Sequence, residues 1–149
     1  MHKLAAIVGP TAAGKTRIAI EVAKKINAQI VSCDSMQVYR DMDIGTAKAS
    51  IQERQLIPHY MVDIIDADEE FSVADYQKQV KSIIEQLNKE NTIPLLVGGT
   101  GLYYQAVADN YQFFPLQSRN EVREKWQDIV NNTGLEFAYE ALSRIDPDY

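Results

Sequence analysis

Near the start of the chain, Gly9-Pro10-Thr11-Ala12-Ala13-Gly14-Lys15-Thr16 fits the pattern G-x-x-x-x-G-K-[ST]. An almost wholly apolar run at 3–8 precedes it and reads as a strand covered on both faces. A helix follows at 14–26, with Ile18, Ala19, Val22, Ala23 and Ile26 at helical spacing and Asn27 as its stop. Strand, glycine turn and helix in that order commit this part of the chain to a layered α/β fold. The chemistry follows from the same residues. Glycines let the backbone curl so that N–H groups point inward, and the helix N-terminus adds positive potential. Lys15 reaches terminal phosphates, and Thr16 is placed to ligate Mg²⁺. The expected ligand is a polyphosphate or diphosphate.

The α/β alternation continues to about residue 110. Residues 29–33 form a second strand, 34–50 an irregular polar stretch, and 92–97 another buried strand that runs into Gly98-Gly99-Thr100-Gly101. Between them Ser72 caps a helix reaching Asn88, with Asp75 at its third position and Val73, Tyr76, Val80, Ile83, Ile84 and Leu87 in one apolar stripe. Residues 102–108 read as helical. The predicted architecture is a parallel sheet with helices on both faces over residues 1–110. From 111 to 149 a helical module follows, with helices at 118–131, opened by a Ser118/Glu121 capping box, and 135–145.

With 46% hydrophobic and 24% charged residues, the 149-residue chain has the composition of an ordinary globular protein. No apolar run approaches the roughly 20 residues of a membrane-spanning helix, so no membrane association is expected. The first strand leaves no room for a signal peptide before it. Cys33 is the single cysteine and lies beside Ile30 and Val31, so it reads as a core residue rather than a nucleophile. These features give a cytoplasmic expectation. A net charge of −6 argues against a broadly basic nucleic-acid-coating surface. Nucleic acid would have to be met by a local site, and nothing in the sequence calls for an obligate protein partner.

A nucleoside-triphosphate hydrolase or kinase usually carries an aspartate at the end of a second core strand, to complete its Mg²⁺ site. Here 95–99 read Leu-Leu-Val-Gly-Gly, without a carboxylate. Asp34-Ser35 instead closes the second strand, at the sheet edge where α/β proteins bind ligands. Asp34 there holds a metal's water, acts as a general base, or forms an Asx turn, and the dipeptide leaves all three open. Gln37 has the donor and acceptor for an adenine edge but also suits a polar surface. Thr100 reads either as a ligand contact or as a helix N-cap. Arg123 lies on the outer face of its helix, as a solvated charge would. Tyr39, Tyr103 and Tyr104 suit base stacking, although packing is the commoner use of a tyrosine.

Four segments together, the glycine loop, Asp34-Ser35-Met36-Gln37-Val38-Tyr39, Met42-Asp43-Ile44-Gly45-Thr46-Ala47-Lys48, and Gly98-Gly99-Thr100-Gly101-Leu102-Tyr103, resemble the tRNA dimethylallyltransferase family, also called tRNA isopentenyltransferases. The resemblance spans essentially the whole chain and matches the N-terminal half of such proteins. It implies transfer of a dimethylallyl group from dimethylallyl diphosphate to the exocyclic amine of the adenosine just 3′ of the anticodon in tRNA. Residues 9–16 would then hold the diphosphate with Mg²⁺. Asp34, Lys15 and Thr100 would be catalytic, while Asp34, Ser35, Met36, Gln37, Thr100 and Arg123 would meet the tRNA anticodon loop. The chemistry of the residues agrees. An adenine amine is a poor nucleophile and needs a base, for which Asp34 is the candidate. The glycine loop suits a diphosphate leaving group, and a loop adenosine can be flipped into a pocket. Competing readings are an adenylate isopentenyltransferase, which shares several of the motifs, a small-molecule kinase, and a nucleotide-binding module without activity.

Overall fold

The computed structural model describes residues 3–113 and 117–147, with the side chains of 117–120 left aside. Four strands, β1 (Ala5–Val8), β2 (Ala28–Cys33), β3 (His59–Tyr60) and β4 (Ile93–Gly98), form one parallel sheet in the order β1-β4-β2-β3. The chain divides into two compact units, Met1–Tyr111 and Gln112–Tyr149.

In the first unit α1 (Lys15–Ile26) covers one face of the sheet, where Ala19, Ile20 and Ala23 pack with Ile30, Leu95 and Val97. Its end is fixed by Asn27, whose left-handed conformation (φ 52°) returns its N–H to Ala23 O. On the opposite face α3 (Val73–Lys89) and α4 (Gly101–Ala108) bring Tyr76, Val80, Leu87, Tyr103 and Val107 against Val31, Cys33 and Leu96. The alternation of Ile30 with Val31 and of Leu95 with Leu96 is what divides the two cores. Ser72 and Asp75 form the expected reciprocal cap of α3. Tyr76 stacks on Tyr103 at 4.0 Å between ring centroids, and its hydroxyl donates to Ser32 O. Tyr103 is therefore a packing residue. Cys33 is fully buried, and that burial, against the lowering effect of its Tyr76 hydrogen bond, pushes its thiol above the ordinary range. It is inert core, as expected.

Two features depart from the sequence expectation. The strand at 3–8 is not covered on both faces. It begins at Ala5 because Lys3 N–H is taken by Asn88 Oδ1, and among the described residues β1 pairs with β4 alone. Ala5 and Ile7 pack toward α1 while Val8 is exposed, the pattern of an edge strand. The polar stretch is followed by a short helix, α2 (Ile51–Leu56), opened by a Ser50/Glu53 capping box, and then by β3. Neither element carries enough periodicity to be seen in the sequence.

Gly98 sets the geometry of the sheet edge. A Cβ there would lie 2.0 Å from Cys33 O, so only glycine lets β4 approach β2 this closely. The approach lets Thr100 N–H donate to the same carbonyl at 3.1 Å, drawing Thr100 over the exit of β2. Gly98→Ala is expected to cost about 3 kcal/mol, read as a lowered urea midpoint with unchanged m. An unchanged midpoint would show that the strands separate there at no cost.

The second unit contains α5 (Gln117–Thr133) and α6 (Leu135–Ile145), joined at Gly134 (φ 86°). The capping box expected at Ser118 lies outside the described side chains. Among the described residues no helix is long and apolar enough to cross a membrane.

Candidate functional site

The glycine loop owes its shape to two left-handed residues, Ala12 (φ 65°) and Gly14 (φ 77°). They flank Ala13, whose N–H closes a turn on Pro10 O at 3.4 Å, and lead the chain into the first turn of α1. For Ala12, which has a Cβ, that conformation costs about 1–2 kcal/mol, a strain of the kind held at binding loops. No side chain caps α1, so its first N–H groups stay open to an anion. Lys15 Nζ donates to Pro10 O at 2.7 Å, folding the ammonium back into the loop.

A cavity of about 330 Å³ starts at this loop and runs along the α1 face of β2. Lys15, Thr16, Asp34, Gln37, Thr46 and His59 all line it, with Arg17 and Glu53. Ser32 and Ile30 form its floor because alternate β2 residues share one face. Gly9 and Pro10 are the loop's entry, while Thr11 and Ala12 also border the cavity.

Asp34 adopts the Asx turn, its Oδ1 accepting from Met36 N–H at 2.9 Å. Among the described residues Oδ2 takes no hydrogen bond, so the turn leaves the carboxylate one open oxygen. The turn and a chemical role are compatible. Thr100 occupies the N-cap position of α4 without capping it. Its Oγ1 instead accepts from Ser35 N–H at 3.0 Å and sits 3.4 Å from Ser35 Oγ, joining the β4 and β2 exits. Gln37 is already engaged: its Oε1 accepts from Ser32 Oγ at 2.8 Å, and its Nε2 donates to Thr46 O and Ala47 O. The free bidentate face expected for an adenine is not presented in this state. Met36 is exposed. Arg123 is an exposed residue of α5 and belongs to the second unit.

Arg17, Thr46, Glu53 and His59 were not foreseen as cavity residues. Arg17 lies one turn-step past the motif and would have needed no more than the helix register to be found. The other three arrive through the fold of the loop, of α2 and of β3. His59 Nδ1 meets Ile57 O at 2.7 Å, while its buried Nε2 has no partner among the described residues. Burial lowers its pKa. Glu53 is held below the ordinary carboxylate range by the N–H and hydroxyl of Ser50.

A pH dependence follows. A His whose folded pKa is depressed contributes stability that is complete above its unfolded value, about 6.5, and is lost as pH falls. Depressed Glu53 acts in the same direction, with loss beginning below about pH 4.5. The urea midpoint is expected to fall in two steps on acidification, and His59→Phe should remove the first. A His59→Phe protein that keeps the step near pH 6 would assign it elsewhere.

The donor set suits Mg²⁺. Thr16 offers a hard oxygen atom in the cavity beside the glycine loop, and this ion is commonly held by one or two protein oxygens plus phosphate. No cluster of three or more acidic, His or Cys side chains occurs among the described residues.

Comparison with known proteins adds to this geometry. A family model described as IPP transferase matches residues 37–149. A tRNA dimethylallyltransferase of Syntrophomonas wolfei is 56% identical over 100% of this chain and 48% of its own length. One from Halothermothrix orenii is 50% identical over 97% of this chain and 44% of its own. Among solved structures, the full-length tRNA isopentenylpyrophosphate transferase of Bacillus halodurans matches with a TM-score of 0.75 and 43% identity, over 99% of this chain and 49% of that one. A eukaryotic dimethylallyltransferase acting on tRNA gives a TM-score of 0.79 at 31% identity, over 98% and 36%. The chain thus spans about half the length of the curated relatives it matches.

Proposed function

Since the chain belongs to the IPP transferase family, we propose that its cavity serves transfer of a dimethylallyl group from dimethylallyl diphosphate to the exocyclic amine of the adenosine 3′-adjacent to the anticodon in tRNA. The observation that carries this reading is that Asp34, with an open carboxylate oxygen, lines the same cavity as Lys15 and Thr16. A proton acceptor and a diphosphate cradle are what this substitution needs at its two ends.

In the reaction the amine nitrogen bonds to the allylic carbon while that carbon's bond to oxygen breaks. The electron pair of the broken bond leaves with the diphosphate, and Asp34 takes the proton of the amine. The growing negative charge falls on the N–H groups of residues 14–16 and on Lys15. Thr16 would hold Mg²⁺, which would supply further charge neutralisation at the diphosphate, while the open oxygen of Asp34 is kept for the proton. Ser35 and Thr100, tied to each other, close the strand edge beside Asp34, and Met36 and Gln37 form the adjoining wall toward the nucleotide. Arg123 supplies a cation toward tRNA phosphate, a local contact of the kind that a chain of net charge −6 requires. A tRNA substrate accords with the cytoplasmic expectation drawn from the sequence.

The test is to offer labelled dimethylallyl diphosphate with tRNA or with AMP, and ATP with nucleosides in parallel. Label in tRNA alone supports the reading. Label in AMP would make the protein an adenylate isopentenyltransferase, and phosphoryl transfer from ATP would make it a kinase.

A further inference from the structure

The loop between β2 and α2 spans residues 34–50 with neither helix nor ladder strand, so its shape must come from individual contacts. Part of it is laid against the segment after β3 by backbone bonds: Asp63 N–H to Gln37 O, Ile64 N–H to Val38 O at 2.8 Å, and Arg40 N–H to Ile65 O at 2.8 Å. The rest converges on Lys48. Its side chain is 2% exposed, and its ammonium donates to Tyr39 O at 2.9 Å and Asp63 Oδ1 at 2.6 Å, and pairs with Asp43 Oδ1 at 2.8 Å. Three N–H groups meet three oxygens, which is the full capacity of an ammonium. One group thereby ties the start of the loop, its middle and the segment beneath it. The two residues before Lys48 in the chain, Thr46 and Ala47, give their carbonyls to Gln37, so the clasp and the cavity wall are continuous.

We propose that Lys48 is a positioning residue for the acceptor nucleotide: it clasps the 34–50 loop so that Asp34, Met36 and Gln37 present one wall to the adenosine, while the glycine loop holds the donor diphosphate without it. The proposal rests on the prenyl-transfer reading of the cavity. The split between the two substrates follows from construction. The donor's cradle is built from residues 9–16 and their own backbone, whereas the acceptor's wall belongs to an irregular loop held by individual contacts, three of which Lys48 makes. Removing the ammonium strands no buried charge, because Asp63 retains Arg54 and Asp43 is 66% exposed. The fold should therefore survive Lys48→Met, which keeps the length of the side chain.

The experiment is steady-state transfer to tRNA by the wild type, Lys48→Met, Lys48→Arg and Asp43→Asn, with KM read separately for each substrate. Losing charged hydrogen bonds that order the wall should raise KM for tRNA by about tenfold or more in Lys48→Met. KM for dimethylallyl diphosphate should stay within about twofold, and limited proteolysis should cut the loop faster. Lys48→Arg should recover part of the loss, and Asp43→Asn, at an exposed position, should show a smaller rise of the same kind. Equal rises in both KM values, or none for tRNA, would reduce Lys48 to a general stabiliser and overturn the proposal. A wild type that transfers nothing to tRNA strikes the prenyl-transfer reading itself, and this inference with it.

Discussion

Asp34→Asn is expected to lower turnover in prenyl transfer by about 10²–10⁴-fold while tRNA affinity changes little. The substitution retains the acceptor oxygen that Met36 N–H uses at 2.9 Å, so the Asx turn and the strand exit should persist. What is lost is the basic oxygen. The amide places either a second carbonyl-like acceptor of negligible basicity or an NH₂ donor where the amine's proton must go. Ground-state binding of the nucleotide does not depend on that proton transfer, and so rate and affinity should separate. The measurement is single-turnover rate beside equilibrium tRNA affinity for the two proteins. Equal losses in both would make Asp34 a binding residue, and an unchanged rate would remove it as the base.

This separation is testable because the geometry around Asp34 has two independent supports, and they differ in how visible they are in sequence. The glycine loop could be read directly: its action depends on residues 9–16 and on the strand and helix that abut them, all contiguous in the chain. The same holds for the Ser72/Asp75 cap and for the apolar stripe that places Tyr76, Val80 and Leu87 on one face of α3. Local patterns specify local structure. The exposure of Val8 was not legible, because it depends on which strand pairs with β1 rather than on the composition of β1. A strand of two residues, β3, has no periodicity to detect, yet it brings His59 beside Ile30.

The second support, the wall from Asp34 to Ala47, was legible only as residue types. Gln37 was recognisable as an amide that could read a base, but its partners Ser32, Thr46 and Ala47 become neighbours only when the loop closes. Thr100 had the sequence position of an N-cap and took it, while its hydroxyl went to Ser35, a residue 65 positions away. Lys48 closes one of the segments that carry the family resemblance and Asp63 lies outside all four, and nothing in the sequence pairs the two. Their pairing, with the ammonium almost fully withdrawn from water, needs α2 and the segment after β3 to be in place. Sequence thus named the chemical groups of the site, and the tertiary contacts decide which of them remain free for a ligand.

Lys15→Ala is expected to weaken prenyl transfer by about 10²–10³-fold, with a larger effect on the chemical step than on tRNA binding. Among the described residues the ammonium has a single hydrogen-bond acceptor, Pro10 O, beside the open N–H groups of α1. Two of its three donors are therefore available to diphosphate oxygens. Their attraction grows as the allylic carbon–oxygen bond breaks, since the leaving group gains charge through the transition state. An interaction that strengthens along the reaction contributes to turnover more than to ground-state affinity. Lys15→Met should behave like Lys15→Ala, because it is the charge and not the stem that acts. The accompanying binding measurement is calorimetric titration with dimethylallyl diphosphate and with ATP in the presence of Mg²⁺. The cavity beside the loop is formed by the α1 face of β2 and the 34–50 loop, with no resemblance to an adenine pocket in the sequence around the glycines. The prenyl diphosphate should therefore bind the wild type more tightly than ATP, and displace it. Tight ATP binding that the prenyl diphosphate cannot displace would mean that the cradle serves a nucleotide, and then the loss in Lys15→Ala would report a phosphoryl donor instead of a leaving group.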